Sequence, residues 1–466
     1  HDDLFWALPG KRCDGADFTG DAIRQGASGV VTHRTPEGSV ERPTVVVEDT
    51  LAALTAWARS LRSRFQGAFI AVTGSVGKTT TRQMIDCVLR KRFRGVCSRH
   101  NYNNSIGLPV SMAAMRPSHD YALLELGASA PGEIAELAAL ARPTVGVITQ
   151  IAESHLAGFG DRESLFHAKC ELMDTLAPGA PVIIFNDPRL IRAARHRMLQ
   201  PIVVGRTVGC AFQADRIEVG RHGTAFDCRG YRYTVPVAGE HFVEAALAAI
   251  ALGTMFGLQK KEIAASFRTF QGEPHRCEII ECRYESGIVP NEDLNYTDVP
   301  SEYLTIIDDT YNASPASLRA AMRLTSAIGG KRRKVFLLGD MAELGDESDA
   351  LHREIGFELA RLAGKNDLLV TFGEQARHIA LAAEMINGTK AFTAVSHRSF
   401  GENEWPAFCE FVQNELLPGD TVLVKGSRVM RMERLVDLLQ NPPVETESRR
   451  YSDLRGDNKL YNKKTA

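Results

Sequence analysis

The chain has no long hydrophobic run. No apolar stretch approaches the roughly 18 residues that a membrane-spanning helix needs, so no membrane span is expected. It also lacks an excess of either charge. Its 55 Lys and Arg offset 57 Asp and Glu to a formal net charge of -2, and without an overall basic field a nucleic-acid partner is not expected. Its nine cysteines are odd in number and scattered, with no Cys-x-x-Cys. Cys277 and Cys282 have no second pair to complete a zinc site, and no disulfide framework suggests itself. A reduced, cytoplasmic compartment is the reading. No signal peptide is visible, and the chain opens at His1 without a methionine. What remains is ordinary for a globular protein: 44% apolar and 24% charged residues. At 466 residues, roughly three domains are expected.

One stretch organises the rest, Ala71-Val72-Thr73-Gly74-Ser75-Val76-Gly77-Lys78-Thr79-Thr80-Thr81. It follows the apolar run Phe69–Val72, read as a buried strand. It precedes Arg82–Leu89, where apolar residues recur at helical spacing. Strand, glycine loop and helix together form a geometry in which backbone N–H groups and a helix N-terminus hold phosphate. Lys78 is placed to reach the β- and γ-phosphates, and the Thr79 hydroxyl to ligate Mg²⁺. The loop lacks the first glycine of the common pattern, since Val72 stands there. The competing interpretation is a glycine-rich turn beside a surface lysine.

The flanking pattern is α/β. Residues 1–66 read as a small N-terminal unit with strands at Gly29–Thr32 and Thr44–Val47. Its helix runs from Thr50 to Arg62, with Thr50 as N-cap. The turn-rich segment Asp3–Phe18 reads as a loop. Residues 67–277 alternate strand and helix: strands at Tyr121–Leu126, Val145–Thr149 and Pro181–Phe185, helices at Gly132–Ala141 and Glu163–Leu176. This rhythm predicts a parallel sheet covered by helices, with ligands at the strands' C-terminal ends. Residues 202–236 read as short antiparallel strands, and His241–Phe256 as an alanine-rich helix. Residues 278–440 form a second α/β run, with strands at Leu304–Asp309, Lys334–Asp340, Asp367–Thr371 and Asp420–Gly426. Arg283–Tyr303 reads as a polar inserted loop, and 441–466 as a disordered tail.

Taken singly, several residues have an ordinary explanation beside a functional one. Glu125 ends a strand near the phosphate loop and is an oxygen ligand of the kind Mg²⁺ prefers. His155 after a strand is more often structural, and imidazole is an unusual partner for Mg²⁺. Lys169, inside a helix, is by default a solvated lysine. Arg276 is by default a turn residue, and Asp308 and Asp309 a strand end.

Together these residues carry a resemblance. The phosphate loop, Asn101–Pro109, Leu124–Ala128, Glu153–Gly160 and Ala168–Glu171, in that order, resemble the Mur ligases, ATP-dependent amide-forming enzymes of peptidoglycan precursor synthesis. Asp308-Asp309-Thr310-Tyr311-Asn312-Ala313-Ser314-Pro315-Ala316-Ser317, Leu338–Gly345, His352–Gly356 and Val424–Arg428 are similar to the D-alanyl-D-alanine-adding type of that family. Leu4–Leu8 and Asp14–Phe18 are similar to that type's uridine-nucleotide domain. The resemblance spans about residues 3–440.

It implies an α/β protein of three domains: an N-terminal UDP-substrate domain (1–66), a central P-loop-type ATP domain (67–277) and a C-terminal Rossmann-like ligase domain (278–440). It implies ATP and Mg²⁺, and as substrates UDP-N-acetylmuramoyl-tripeptide and D-alanyl-D-alanine, joined through an acyl phosphate by a monomer. By resemblance, Thr73, Gly74, Ser75, Val76, Gly77, Lys78, Thr79 and Thr80 hold the nucleotide, with Arg276 and Asp309 contacting it from the domain interface and the C-terminal domain. Asn104 is a further candidate near the phosphates, with Asn103 an equal choice. Lys78, Glu125, His155 and Lys169 are the implied catalytic set. Thr79 and Glu125 would hold one metal and His155 a second, and Lys169 matches a lysine carbamylated in much of the family, which would give Mg²⁺ an oxygen ligand.

The chain departs from the family in three places. Where the family shows H-N-V-x-N-x-L-A-A, His241–Ala249 has Phe242 and Ala245 in place of both asparagines, and the second asparagine usually reads the base. The 283–303 insertion is longer than expected, and the family's first strand and helix are missing from the start. The rival readings are a Mur-like ligase with another acceptor, against which the Tyr311–Pro315 run speaks, and a nucleotide-binding homologue that has lost catalysis.

Overall fold

The computed structural model describes residues 3–10, 12–36, 42–98, 101–154, 156–283, 303–386 and 396–441. Two sites of interest in the sequence, His155 and most of the 283–303 insertion, lie outside these residues, as does the tail beyond 441. The described chain divides into two compact units. One comprises His1–Glu273 with Ser314–Ala320 and Ala342–Leu351; the other comprises the remaining C-terminal segments.

The first unit contains two sheets. A three-stranded parallel sheet joins Leu4–Trp6, Gly29–Thr32 and Thr44–Val46 in that order. Leu4–Trp6 is thus a strand, not the loop its turn-rich neighbourhood suggests; three residues are too few for alternation to show, and pairing with Gly29–Val31 fixes them. The helix Thr50–Arg64 is capped by Asp49, whose carboxylate accepts from the N–H of Leu51 and Ala52 at 2.8 and 3.0 Å. Thr50, expected as the cap, instead donates its hydroxyl to the Ala7 carbonyl at 2.9 Å. A carboxylate one residue earlier satisfies two first-turn amides and frees the threonine to tie helix to sheet.

The second sheet of this unit has nine strands. From one edge they run Tyr231–Val235, Gly223–Cys228, Phe212–Gly220, Gln200–Gly205, Pro181–Phe185, Val145–Ile148, Ala68–Thr73, Tyr121–Glu125 and Gly95–Cys97. The seven strands from Phe212–Gly220 to Gly95–Cys97 are mutually parallel, and the two outermost extend them antiparallel. The expected antiparallel patch therefore exists but is fused to the main sheet, and its first strand, Gln200–Gly205, is parallel.

Chain order reverses at Ala68–Thr73. The next two strands lie to one side of it and Val145–Ile148 to the other. A crevice opens at the C-terminal ends of strands at such a switch point, and the phosphate loop leaves from that end. Central strands such as Phe69–Thr73 and Tyr121–Glu125 are buried throughout, as a sheet covered on both faces requires. Helices Lys78–Leu89 and Val243–Met255 pack against each other. Ten buried residues, mostly Ala, Leu and Ile, run from Val243 to Gly253, and small side chains let helix axes approach closely.

The second unit carries a six-stranded sheet in the order Glu278–Arg283, Tyr303–Asp308, Thr421–Lys425, Lys334–Gly339, Leu368–Phe372 and Ser396–Phe400. All neighbours are parallel except the first pair. Two edge strands, Glu278–Arg283 and Ser396–Phe400, were not expected from sequence. Polar residues break up the first (Glu278, Glu281, Arg283) and fill the second up to Phe400, so neither shows a continuous apolar run. This is the Rossmann-like arrangement anticipated, with Asp308, Gly339 and Lys425 at one end of adjacent strands.

Candidate active site

The phosphate loop joins two buried elements. Gly74 has φ +140°, and a Cβ there would lie 2.0 Å from Thr149 Oγ1. Gly77 has φ +85° and caps the helix Lys78–Leu89. The first is required by space and conformation, the second by conformation alone. The Thr149 hydroxyl lies 2.8 Å from the Val76 carbonyl and 3.2 Å from that of Thr73, while the N–H groups of Ser75 and Val76 donate to the Gln150 carbonyl at 2.9 and 3.2 Å. Those two amides brace the loop. The helix's first turn, Lys78 to Thr80, presents N–H groups for which a helix has no internal acceptor. Lys78 Nζ arches back to the carbonyls of Gly74 and Ser75 at 3.0 and 3.2 Å, which holds its charge over the cradle.

Glu125 ends the neighbouring strand, its register partner being Val72. It is 2% exposed. Its Oε2 accepts from the Thr79 hydroxyl at 3.0 Å, and its Oε1 from the Asn103 amide at 2.9 Å. Arg82 Nε stands 3.7 Å from Oε2. Of the two neighbouring asparagines, Asn103 therefore reaches the carboxylate. Asn104 instead accepts from the N–H of Ile106 and Gly107 in the turn that leads into the helix Gly107–Ala113. Sequence reasoning passed over Arg82. The signal was available, because it lies three and four residues after Thr79 and Lys78 and so shares their helical face.

Lys169 lies on the helix Arg162–Asp174 and is 1% exposed, not solvated as a lysine in a helix is by default. Its Nζ donates to the Ala128 carbonyl at 3.3 Å and sits 4.8 Å from the Phe159 ring centroid. Burial, reinforced by the charge of Lys78, pushes its ammonium down to about 7. Two residues on, Glu171 accepts from the N–H of Gly132 and Ala135. The loop that follows Glu125 is thus gripped from one helix.

Among the described residues no cluster of three or more His, Cys, Asp or Glu stands where it could hold a metal ion. Thr79 and Glu125 nonetheless fit Mg²⁺, a cation that takes oxygen donors and fills its shell with substrate phosphates. The buried carboxylate with a hydroxyl beside it is a donor set of that kind.

Arg276 and Asp309 belong to the second unit. The Arg276 guanidinium lies 3.8 Å from the Tyr311 ring centroid. Asp309 Oδ2 pairs with Lys425 Nζ at 2.5 Å and its Oδ1 accepts from the Cys277 N–H at 3.2 Å. His275 and Cys277, on either side of Arg276, both have positive φ, 63° and 53°. Asp308 Oδ2 holds His275 Nδ1 at 2.7 Å, which secures that turn.

A parallel sheet with a braced glycine loop at its switch point, a lysine over the loop and a buried carboxylate beside the following threonine define a phosphate-loop enzyme that uses a nucleoside triphosphate. The family pattern described as "Mur ligase middle domain" matches residues 72–253, and that described as "Mur ligase, glutamate ligase domain" matches residues 297–428. The UDP-N-acetylmuramoyl-tripeptide–D-alanyl-D-alanine ligase of Bacillus subtilis is 35% identical over 94% of this chain and 91% of its own length. The enzyme of that name from Escherichia coli is 30% identical over 94% and 90%. A crystal structure of MurF from Acinetobacter baumannii superposes with a TM-score of 0.77 at 28% identity, over 94% of this chain and 90% of that one. The chain belongs to the Mur ligase family, and is an ATP-dependent ligase. No helix among the described residues is long and apolar enough to cross a membrane.

Proposed function

We propose that this ligase joins D-alanyl-D-alanine to UDP-N-acetylmuramoyl-tripeptide in peptidoglycan precursor synthesis. The observation that carries the reading is the Lys78–Thr79–Glu125 constellation at the switch point, in a chain 35% identical over 94% of its length to a ligase of that name. The tripeptide's terminal carboxylate attacks the γ-phosphorus of ATP, ADP leaves, and an acyl phosphate forms. The free amine of the dipeptide then attacks the acyl carbon, loses a proton and expels phosphate. Such transfers depend on positioning and charge neutralisation more than on covalent help from the protein. Lys78 and the first-turn amides take the charge that develops on the transferred phosphoryl group. Bound Mg²⁺ would supply further neutralisation, with Thr79 and Glu125 as its protein ligands and His155 at a second ion.

Carbamylated Lys169 completes the set in this reading. An amine titrating near 7 is about half neutral at pH 7, whereas one at 10.5 is neutral about once in 3,000, and only the neutral amine adds CO₂. Arg276 and Asp309 are assigned to the nucleotide, and the three sheets support the division into parts at 1–66, 67–277 and 278–440. Ala245 is buried within its helix and offers no amide to a purine, so weak base discrimination is expected. All nine cysteines are free, in keeping with a cytoplasmic enzyme.

The test is an assay of phosphate release and amide product. Both should require the nucleotide tripeptide and D-alanyl-D-alanine together. Product with glutamate or diaminopimelate as the amine donor would overturn the assignment.

A further inference from the structure

Arg82 is a buried cation, 3% exposed, inside the helix that opens at the phosphate loop. Its Nη1 is anchored by the Ser98 carbonyl at 2.5 Å and the Cys97 sulfur at 2.9 Å. Its Nε is buried with no hydrogen-bond partner among the described residues and stands 3.7 Å from Glu125 Oε2. That is too long for a hydrogen bond, yet a carboxylate movement of under about 1 Å would make one. Ser98 serves both sides, since its hydroxyl accepts from the Glu125 N–H at 3.1 Å.

Glu125 has two neutral donors, Thr79 and Asn103, and among the described residues Arg82 is its one ion-pair partner. A lone ionised carboxylate at this depth is costly. Its nearest hydroxyl, that of Thr79, is also the group assigned to the metal. We infer that Arg82 is a positioning residue for Glu125 that takes over its Oε2 when Thr79 engages the metal–nucleotide, so that Arg82 sets the metal dependence of nucleotide binding. A surface salt bridge would not do this, because solvent would screen it and supply competing donors. The inference rests on the nucleotide-binding part of the proposed function and not on the identity of either substrate. Failure of the wild-type chain to bind ADP would sink that reading itself; the outcomes below concern Arg82 alone.

The experiment is calorimetric titration of the full chain with ADP, with Mg²⁺ and with EDTA, for wild type, Arg82→Gln and Arg82→Lys. Gln keeps a donor for the Ser98 carbonyl but no charge, and Lys keeps the charge. For Arg82→Gln, affinity with Mg²⁺ is expected to fall about tenfold or more, that in EDTA to stay within about twofold, and Arg82→Lys to recover most of the loss. Equal losses with and without Mg²⁺, or no loss, would overturn the inference. Arg82→Gln alone leaves a buried charge unpaired and can fail to fold, so Glu125→Gln is compared with the Glu125→Gln/Arg82→Gln pair, which removes both charges together. With its partner already neutral, removing Arg82 should change the affinity with Mg²⁺ by no more than about twofold. A further tenfold loss would show that Arg82 acts independently of Glu125 and would overturn the inference.

Discussion

The burial of Lys169 yields a prediction with two independent readouts. Its ammonium is pushed down to about 7 in the folded chain from 10.5, so between those values the unfolded chain binds the extra proton. Stability therefore rises with pH across pH 7 to 10.5, and below pH 7 the full cost of the buried charge is present. The difference corresponds to roughly 5 kcal/mol at most, at 1.36 kcal/mol per pH unit. Lys169→Met keeps a flexible chain of similar length without the charge. In CO₂-free buffer it should be more stable than wild type at pH 6 by a few kcal/mol, the gain shrinking towards pH 10, as read by urea denaturation. The second readout is carbamylation. With ¹³C-bicarbonate, wild type should give a carbamate carbon signal that grows from pH 6 to pH 8 as the neutral amine rises from about 10% to about 90%. Lys169→Met should give no such signal and should lose amide synthesis. A flat stability difference between the two proteins from pH 6 to pH 10 would refute the burial argument. Absence of a bicarbonate-dependent signal at every pH would refute the carbamate.

Further expectations follow from particular contacts. Lys78→Ala should lower phosphate release at saturating substrates by at least about 10³-fold, since it removes the cation over the loop; amide synthesis at the wild-type rate would refute the mechanism. Gly74→Ala should cost more stability than Gly77→Ala, because the first adds a 2.0 Å clash with Thr149 Oγ1 to an unfavourable φ and the second adds strain alone; roughly 3 against 1–2 kcal/mol is expected by denaturation. Asp420 has its carboxyl pushed up to about 7 by burial, with Arg333 4.0 Å away. The folded chain then holds the extra proton between about pH 4 and 7, so stability falls as pH rises through that window. Asp420→Asn should remove this slope and gain up to about 4 kcal/mol at pH 8. Asp49→Ala should cost about 1 kcal/mol through loss of the helix cap, seen as a lower thermal midpoint.

What could be read from the chain follows the range of the physics involved. The phosphate loop was legible because glycine spacing, a preceding apolar run and a following helical period all fall between Phe69 and Leu89. The strands ending at Glu125, Asp308 and Lys425 were legible because strands buried on both faces are continuously apolar. Leu4–Trp6 and Ser396–Phe400 were not, because short edge strands draw their identity from the neighbour they pair with. The burial of Lys169 was invisible for a related reason: its helix reads as ordinary, and only packing against Phe159 and Ala128 removes it from water. Between Asn103 and Asn104 no local signal decides, since either side chain could bind a turn amide, and the fold gives that task to the second and the Glu125 carboxylate to the first. His155 and the 283–303 insertion carry expectations that fall on residues outside those described, apart from Arg283 and Tyr303, which are strand residues.

The carbonyl of Gln150 receives two amides from the loop, and the Thr149 side chain ties it again. These stitches are made by the chain itself, so the cradle's shape does not wait for its guest. Nucleotide capture at this end of the sheet should then resemble docking onto a finished surface. Its association rate should be set by diffusion and charge, and its heat-capacity change should be small, with little signature of coupled folding.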